Sequence, residues 1–338
     1  MDNQASTTNR VAWAGIDLAK ATFPLAIWGH QELRSMRVGS FDRTRQGCKE
    51  ALAKLKREVP EGCRIAIVME ATGSLAETTA AWFLALDPSI QVAIVNPIQT
   101  SAFIRSLGLR NKTDDLDAKA LAKYGEERNP FAWEPPSPEY QVLRDMVRAR
   151  QDLIRSRTAM NLRLKDHQRC APLASKAIRA VIRTLERQVE VLDAGILQHV
   201  EGHAGLKACA ERMESIKGVG RITAATVLAE LGDLKRFNRS RQLTAFAGLS
   251  PRQKLSGTSV HGRSPMCKRG SGRVRSALFM AAVAAVRFNP DMAEVYDRLI
   301  GQGKHKRVAL GAVMRKLLVI MRAVVIKGRN WAPRAVPA

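Results

Sequence analysis

The sequence predicts an α/β region followed by a mostly helical remainder, on three observations. From Arg10 to about Trp133, short apolar runs alternate with stretches of helical period. A proline-dense break follows at Asn129-Pro130 and Trp133-Glu134-Pro135-Pro136-Ser137-Pro138, where no continuous helix can run. Beyond it, leucine and valine recur at three-and-four spacing among Arg, Gln and Glu.

Three extended segments come first, Val11 to Ile16, Thr22 to Trp28 and Glu32 to Val38, and a helical stretch runs from Arg43 to Leu55. A buried strand from Arg64 to Met69, a helix from Leu75 to Leu86, a strand from Val92 to Val95 and helices after Pro97 complete the region. This is the element order of an RNase H-type fold, whose first and fourth strands lie side by side. Asp17 closes the first of these and Glu70 the fourth, so the fold would bring both within reach of one ion. Gly15 and Gly73 flank the two acids, and either can simply serve a turn.

After the linker, residues 139 to 168 and 174 to 200 read as the arms of an antiparallel helical hairpin, with Pro172 between them. A dimerising coiled coil and packing within one subunit are equally open. Ile216-Lys217-Gly218-Val219-Gly220-Arg221-Ile222-Thr223 then reads as a helix-hairpin-helix turn, whose backbone N–H groups suit a phosphate; a plain helix-helix turn is the competing reading. From Ser250 to Arg275 the chain holds seven Lys or Arg and no acid, among hydroxyls and glycines, as a phosphate grip does. Helices from Val274 to Val286 and from Val308 to Val325 close the chain, the latter behind Lys304-His305-Lys306-Arg307.

With 338 residues and 46% hydrophobic content, the chain can bury a sizeable core. Its 55 Lys and Arg against 31 Asp and Glu leave +24, a field built for a polyanion. Aromatic residues make up only 5%, fewer than a dedicated single-strand binder usually carries, so grip through phosphates is expected. No apolar run spans a bilayer, because Val308 to Ile326 is broken by Arg315, Lys316 and Arg322. The first residues lack the basic start and apolar core of a signal peptide, so the expected location is the cytoplasm, acting at the nucleoid. The five cysteines have no C-x-x-C pair and no His at ligand spacing, which argues against zinc.

Against this basic background, four acids stand out: Asp17, Glu70, Asp114 and Asp117. Two strand-terminal acids and a pair three apart on a helix suit divalent-metal phosphoryl transfer, since Mg²⁺ takes hard oxygen ligands and steadies charge on phosphate oxygens. Mn²⁺ can serve the same set. Three residues turn a helix by roughly 300°, so Asp114 and Asp117 share a face while Asp115 points about 100° away and is left out. The competing reading makes Asp114 a helix N-cap. Resealing broken strands without ATP needs a covalent link to a side chain, and serine can supply it. The residues alone leave Ser250, Ser256, Ser259, Ser264 and Ser271 open.

Gly15-Ile16-Asp17-Leu18-Ala19-Lys20, Met69-Glu70-Ala71-Thr72-Gly73, Val95-Asn96-Pro97, Gly108 through Asp117-Ala118, and Ala245-Phe246-Ala247-Gly248-Leu249 resemble the DEDD transposases of bacterial insertion sequences, recombinases guided by a bridge RNA. The match runs in order from about Val11 to Arg329. It implies a RuvC-like domain at 10–134, a coiled-coil domain at 135–205 and a transposase domain at 206–331, between flexible ends at 1–9 and 332–338. It implies that Asp17, Glu70, Asp114 and Asp117 bind metal and that Ser256, in Leu255-Ser256-Gly257-Thr258-Ser259-Val260, is the nucleophile. The implied reaction is Mg²⁺-assisted cleavage and exchange of donor and target DNA strands through a 5′-phosphoserine link. The implied assembly is a tetramer, a dimer of dimers, holding both DNAs and a structured guide RNA. Expected nucleic-acid contacts are Lys112, Lys217, Gly218, Gly220, Arg252, Lys254, Arg263, Lys268, Arg269, Arg273 and Arg275. One departure is Cys267, where the family pattern favours serine. The alternatives are a metal-only, junction-resolvase-like nuclease that ignores Ser256, and a non-catalytic nucleic-acid scaffold.

Overall fold

A computed structural model describes residues 10–28, 36–108, 113–167, 172–251, 255–256, 260–261 and 265–333. The chain divides into two units, Met1–Pro135 and Pro136–Ala338. The first is built on β1 (Val11–Ile16), β2 (Thr22–Trp28), β3 (Met36–Asp42), α1 (Arg45–Glu58), β4 (Arg64–Glu70), α2 (Ser74–Leu86), β5 (Gln91–Val95), α3 (Pro97–Ser106) and α4 (Asp114–Arg128).

Its five strands form one mixed sheet in the order β3-β2-β1-β4-β5. β1 runs antiparallel to β2 and parallel to β4, in the register Gly15↔Val68 and Ile16↔Met69. Successive side chains of a strand face opposite ways. Accordingly Ala12, Ala14 and Ile16 join Cys48, Leu52, Leu55, Ala80 and Phe83 of α1 and α2 in one core, while Trp13 joins Val68, Phe103, Leu121 and Tyr124 in another. A central strand covered on both faces accounts for the unbroken apolar run at the start of the chain.

The third strand departs from expectation. Among the described residues it spans Met36–Asp42, running past the Val38 expected as its end, because Phe41 lies opposite Phe23 of β2 and their rings meet at 6.0 Å. Glu32 to Ser35 lie outside the described residues. The first helix also starts later than Arg43, where the Thr44 hydroxyl accepts from Gly47 N at 3.0 Å and caps it.

The second unit opens with α5 (Pro138–His167) and α6 (Pro172–Glu201). They pack antiparallel: His199 meets the Glu139 carbonyl at 2.9 Å, and about three turns further along α5 Arg150 pairs with Asp193. Then come α7 (Ala204–Glu214), α8 (Arg221–Leu231), a 3-10 turn Leu234–Arg236, α9 (Ser240–Phe246), β6 (Leu255–Ser256), β7 (Val260–His261), α10 (Gly272–Phe288), α11 (Pro290–Gly301) and α12 (Lys306–Lys327). One core runs from Leu143 and Val147 of α5 and Ile196 and Val200 of α6 to Leu317 and Met321 of α12. The stem of the hairpin and the following helices therefore share one unit. α11 was not expected; Pro290 at its first turn and Met292, Val295 and Leu299 at three-and-four spacing are its signals.

The ends at 1–9 and 334–338 lie outside the described residues, and Ala332 and Pro333 are in neither helix nor strand. Among the described residues no helix is long and apolar enough to cross a membrane.

Candidate active site

The parallel pairing of β1 and β4 decides where the first two acids stand. Glu70 is the last residue of β4, and the register Ile16↔Met69 sets Asp17, one residue past β1, beside it. Both are half-buried. The Thr100 hydroxyl, itself fully buried, donates to Glu70 Oε1 and lies 3.1 Å from the Pro97 carbonyl. Asn96 caps α3 by accepting from Ile98 N at 2.9 Å, and Pro97 follows at the first turn, which sets Thr100 against the end of β4. Sequence reasoning missed Thr100, although the run Asn96-Pro97 and a hydroxyl three residues on signals a capped helix start.

The other two acids arrive on α4. Thr113 is its N-cap, with its hydroxyl accepting from Leu116 N at 3.3 Å, so Asp114 is the first helical residue rather than the cap. Asp114, Asp115 and Asp117 occupy the first turn, where negative charge suits the helix dipole. What brings this turn to β1 is the absence of side chains. A Cβ on Gly15 would fall 2.0 Å from the Ala118 carbonyl oxygen, and one on Gly125 would fall 2.4 Å from the Trp13 ring. Gly15 therefore serves close approach of helix to strand, not a turn; Gly73, at φ +70, does serve one, ahead of α2. Asp114 lines a cleft of about 290 Å³ with Thr113, Ala19, Thr22, Pro24 and Ser40, and Asp115, left out on the helical wheel, lines it too. A first turn that opens onto a wide cleft presents adjacent residues to it together.

The donor set is all carboxylate oxygen with one hydroxyl behind Glu70, which suits a hard divalent cation. Among the described residues, no three His, Cys, Asp or Glu groups stand close enough to hold a metal ion. Asp17 and Glu70 are thus neighbours at two strand ends and Asp114 and Asp117 share one helical turn, but the four are not gathered to a point. Like charges repel, so carboxylates converge only where a cation or a shared proton offsets their charge. A larger cavity, about 410 Å³, lies at the other end of β4 around Arg64, Lys56 and Asp87. There the Lys56 ammonium and Ser89 hydrogen bonds pull the Asp87 carboxyl down to about 2, and Lys56 pairs with it at 2.6 Å.

In the second unit the described ends of the basic segment are tied together by backbone bonds. Lys268 N donates to the Gly248 carbonyl at 3.0 Å, Cys267 N to Ser250 at 2.8 Å, and Pro251 bridges Met266. Further out β6 and β7 pair antiparallel with Ser256 opposite Val260, so Ser256 lies on the rising arm of a hairpin. Its side chain, and Arg252, Lys254, Ser259, Arg263 and Ser264, lie outside the described residues, as does Lys112 in the first unit. Gly270 lets the hairpin root close, since a Cβ there would fall 2.2 Å from the Phe246 carbonyl oxygen.

Two residues expected to touch nucleic acid, Arg273 and Arg275, and one candidate nucleophile, Ser271, make contacts within the protein. Arg275 donates to the Gly270 carbonyl at 2.7 Å, and burial draws its pKa down. Arg273 reaches Asp152 at 3.4 Å. Ser271 donates to Glu230 at 2.9 Å and accepts from Val274 N at 3.3 Å as the cap of α10, which commits its oxygen to structure. Lys268 and Arg269 are exposed. The α7–α8 turn is tight, because Gly218 has φ +99 and a Cβ on it would fall 2.6 Å from Ala285 of α10. Gly220, exposed with open space before it, precedes α8 with no side-chain cap, so the first N–H groups of α8 face outward beside exposed Lys217.

Two family models match the chain: a DEDD transposase model described as "Transposase" at residues 14–169, and "Transposase IS116/IS110/IS902 family" at residues 210–297. The chain is 32% identical over 331 residues to the pilin gene-inverting protein of Moraxella bovis, covering 95% of this chain and 98% of that one. The Moraxella lacunata protein of the same name is equally similar over the same span. The transposase for insertion sequence element IS1111A of Coxiella burnetii is 29% identical over 303 residues, 81% of this chain and 77% of its own.

Proposed function

Since the chain belongs to the IS110/IS116/IS902 family of insertion-sequence transposases and is thereby a DNA-transposing enzyme, we propose that it is an RNA-guided DNA recombinase. It cuts and exchanges donor and target strands through a 5′-phosphoserine link. The observation that carries this reading is the pairing of Asp17 and Glu70 at adjacent parallel strand ends, with α4 drawn onto β1 by Gly15, inside a chain matched along 95% of its length by a gene-inverting relative.

In this reading the first unit is an RNase H-like, RuvC-type domain, and Asp17, Glu70, Asp114 and Asp117 hold Mg²⁺, with Mn²⁺ able to replace it. When bound, the ion stabilises the charge that builds on the phosphate oxygens and on the leaving oxygen. Ser256 loses its hydroxyl proton, and its Oγ bonds to the DNA phosphorus. The P–O3′ bond breaks, and the 3′ oxygen leaves with a proton. A 3′-hydroxyl from the exchanged strand later attacks the same phosphorus, frees Ser256 and reseals the backbone, so no ATP is needed. The exposed α8 start, Lys217, Lys268 and Arg269 grip phosphates, together with Lys112, Arg252, Lys254 and Arg263. A structured RNA chooses the site by base pairing, and the protein works as a tetramer. The exposed Leu162 and Leu173 on the far half of the α5–α6 hairpin support contact between copies.

The test is a denaturing gel of a Mg²⁺ reaction on 5′- and 3′-labelled DNA, with RNA that co-purifies with the protein sequenced in parallel. Wild type is expected to trap protein on the 5′ phosphate and leave a free 3′-hydroxyl, while Ser256→Ala loses both adduct and recombinant. Cleavage without an adduct, or undiminished cleavage by Ser256→Ala, would make the protein a metal-only nuclease. Recombination by RNA-free protein would remove the guide.

A further inference from the structure

We propose that Arg236 and Phe246 form a stacking platform for an unpaired base of a DNA strand, at the root of the hairpin that bears Ser256; the proposal rests on the DNA-recombinase reading above. The sequence Lys235-Arg236-Phe237-Asn238-Arg239-Ser240-Arg241 carries four cations around one ring and contains no acid. It joins α8 to α9 through the 3-10 turn Leu234–Arg236.

The fold gathers this basic turn around two rings tilted 59° to each other. Phe237 is buried and anchors the turn, and its ring lies 5.5 Å from that of Phe246. The Arg236 guanidinium stands over both rings, 4.9 Å from Phe237 and 5.2 Å from Phe246. Phe246 nevertheless stays 49% exposed, an unusual state for a large apolar ring within one turn of a packed core. Lys235, Arg236, Arg239 and Arg241 are all exposed around it.

The turn is also held rigid. Arg322 of α12 donates to the Phe237 and Asn238 carbonyls, at 3.0 Å from Nε to Phe237 and 3.1 Å to Asn238. Asp233 spends a carboxylate oxygen on Lys235 N at 2.9 Å, capping the turn. A rigid ring loses little entropy on binding, so it suits stacking. Each base has a π-face, and a guanidinium beside a ring adds attraction to it. The field of cations selects a polyanion over a protein surface.

Position argues for DNA. Gly270 and Lys268 of the hairpin root pack on and bond to the Phe246–Gly248 backbone, so the platform and the base of the Ser256 hairpin are one piece of structure. A strand being cut and exchanged must leave its duplex, and its bases then need a surface to replace the lost stacking.

The experiment measures full-length protein binding to a fluorescent single-stranded DNA of about 12 nucleotides carrying a fluorescent purine analogue, the same sequence as RNA, and the blunt DNA duplex. Phe246→Leu keeps apolar bulk and fold but removes the ring. It is expected to weaken single-stranded DNA binding roughly 5- to 150-fold, to restore the analogue's fluorescence, and to leave duplex binding unchanged. Phe246→Trp should retain both binding and quenching. Unchanged single-strand affinity in Phe246→Leu overturns the platform, and so does equal loss on duplex. A ring effect confined to the RNA overturns the assignment to DNA. Wild-type protein that binds none of the three probes overturns the recombinase reading itself.

Discussion

At the residue scale, the four acids differ in how much of their role the chain itself announces. Asp17 and Glu70 follow directly from two apolar runs that end in an acid, since only a parallel pairing of those runs is needed to set them side by side. Asp114 and Asp117 also satisfy a helix dipole, so their chemistry is less distinct. Asp17→Ala, Glu70→Ala, Asp114→Ala or Asp117→Ala is expected to cut strand cleavage by about 10³-fold or more, because charge on the phosphate goes unsteadied. RNA binding, measured on the same preparations, should hold. Near-normal recombination by any one variant removes that residue from the site. Asp115→Ala should cost only about 0.3–1 kcal/mol of stability through the dipole, despite its place on the cleft wall. Thr100 is different, because a threonine in a helix is mute in sequence and speaks only through its contact with Glu70. Thr100→Val keeps the shape, removes the donor and should lower Mg²⁺-dependent cleavage about 10- to 100-fold, with Thr100→Ser restoring it. Equal activity of the two variants would make Thr100 mere packing.

At the scale of elements, periodicity and breakers made most of the architecture legible, and pairing partners explain what stayed hidden. β1, β2 and β4 announce themselves because a strand covered on both faces is apolar throughout. β3 is an edge strand, and its run on to Asp42 is set by Phe23 across the ladder, which no local pattern contains. The paired arms of the Ser256 hairpin rest on backbone bonds and on Gly270, so a basic, glycine-rich stretch reads as loop until its partner is seen. The role of Gly15 was hidden for the same reason: a missing side chain matters only to the helix that fills the space. Gly15→Ala should therefore destabilise the first unit by about 1–3 kcal/mol through overpacking and push α4 off β1. Thermal melting checks the first effect and cleavage the second. A variant with wild-type melting and activity would show that α4 does not depend on this contact.

At the scale of the whole molecule, the balance of 55 basic against 31 acidic residues decides how the protein meets its partners. Part of that charge is internal: Arg148 pairs with buried Glu230 at 3.0 Å, and Arg275 and Arg322 are spent on backbone carbonyls. These cations brace the second unit and should contribute nothing to a salt slope. Lys217, Lys268 and Arg269, with Lys235, Arg239 and Arg241 of the Lys235–Arg241 turn, are exposed and remain for phosphates. Each phosphate neutralised releases condensed counterions, so a protein making about six to ten such contacts loses roughly 10³- to 10⁵-fold in affinity between about 50 and 200 mM salt. Anisotropy titrations on duplex DNA across that range should give a steep line of log affinity against log salt. Replacing Lys268 and Arg269 together by alanine should flatten it by about two contacts, whereas Arg275→Ala should lower the melting temperature and leave the slope alone. A flat line for wild type would mean that the charge serves folding and solubility. An equal change of slope in Arg275→Ala would mean that its guanidinium leaves the protein backbone for phosphate when DNA binds.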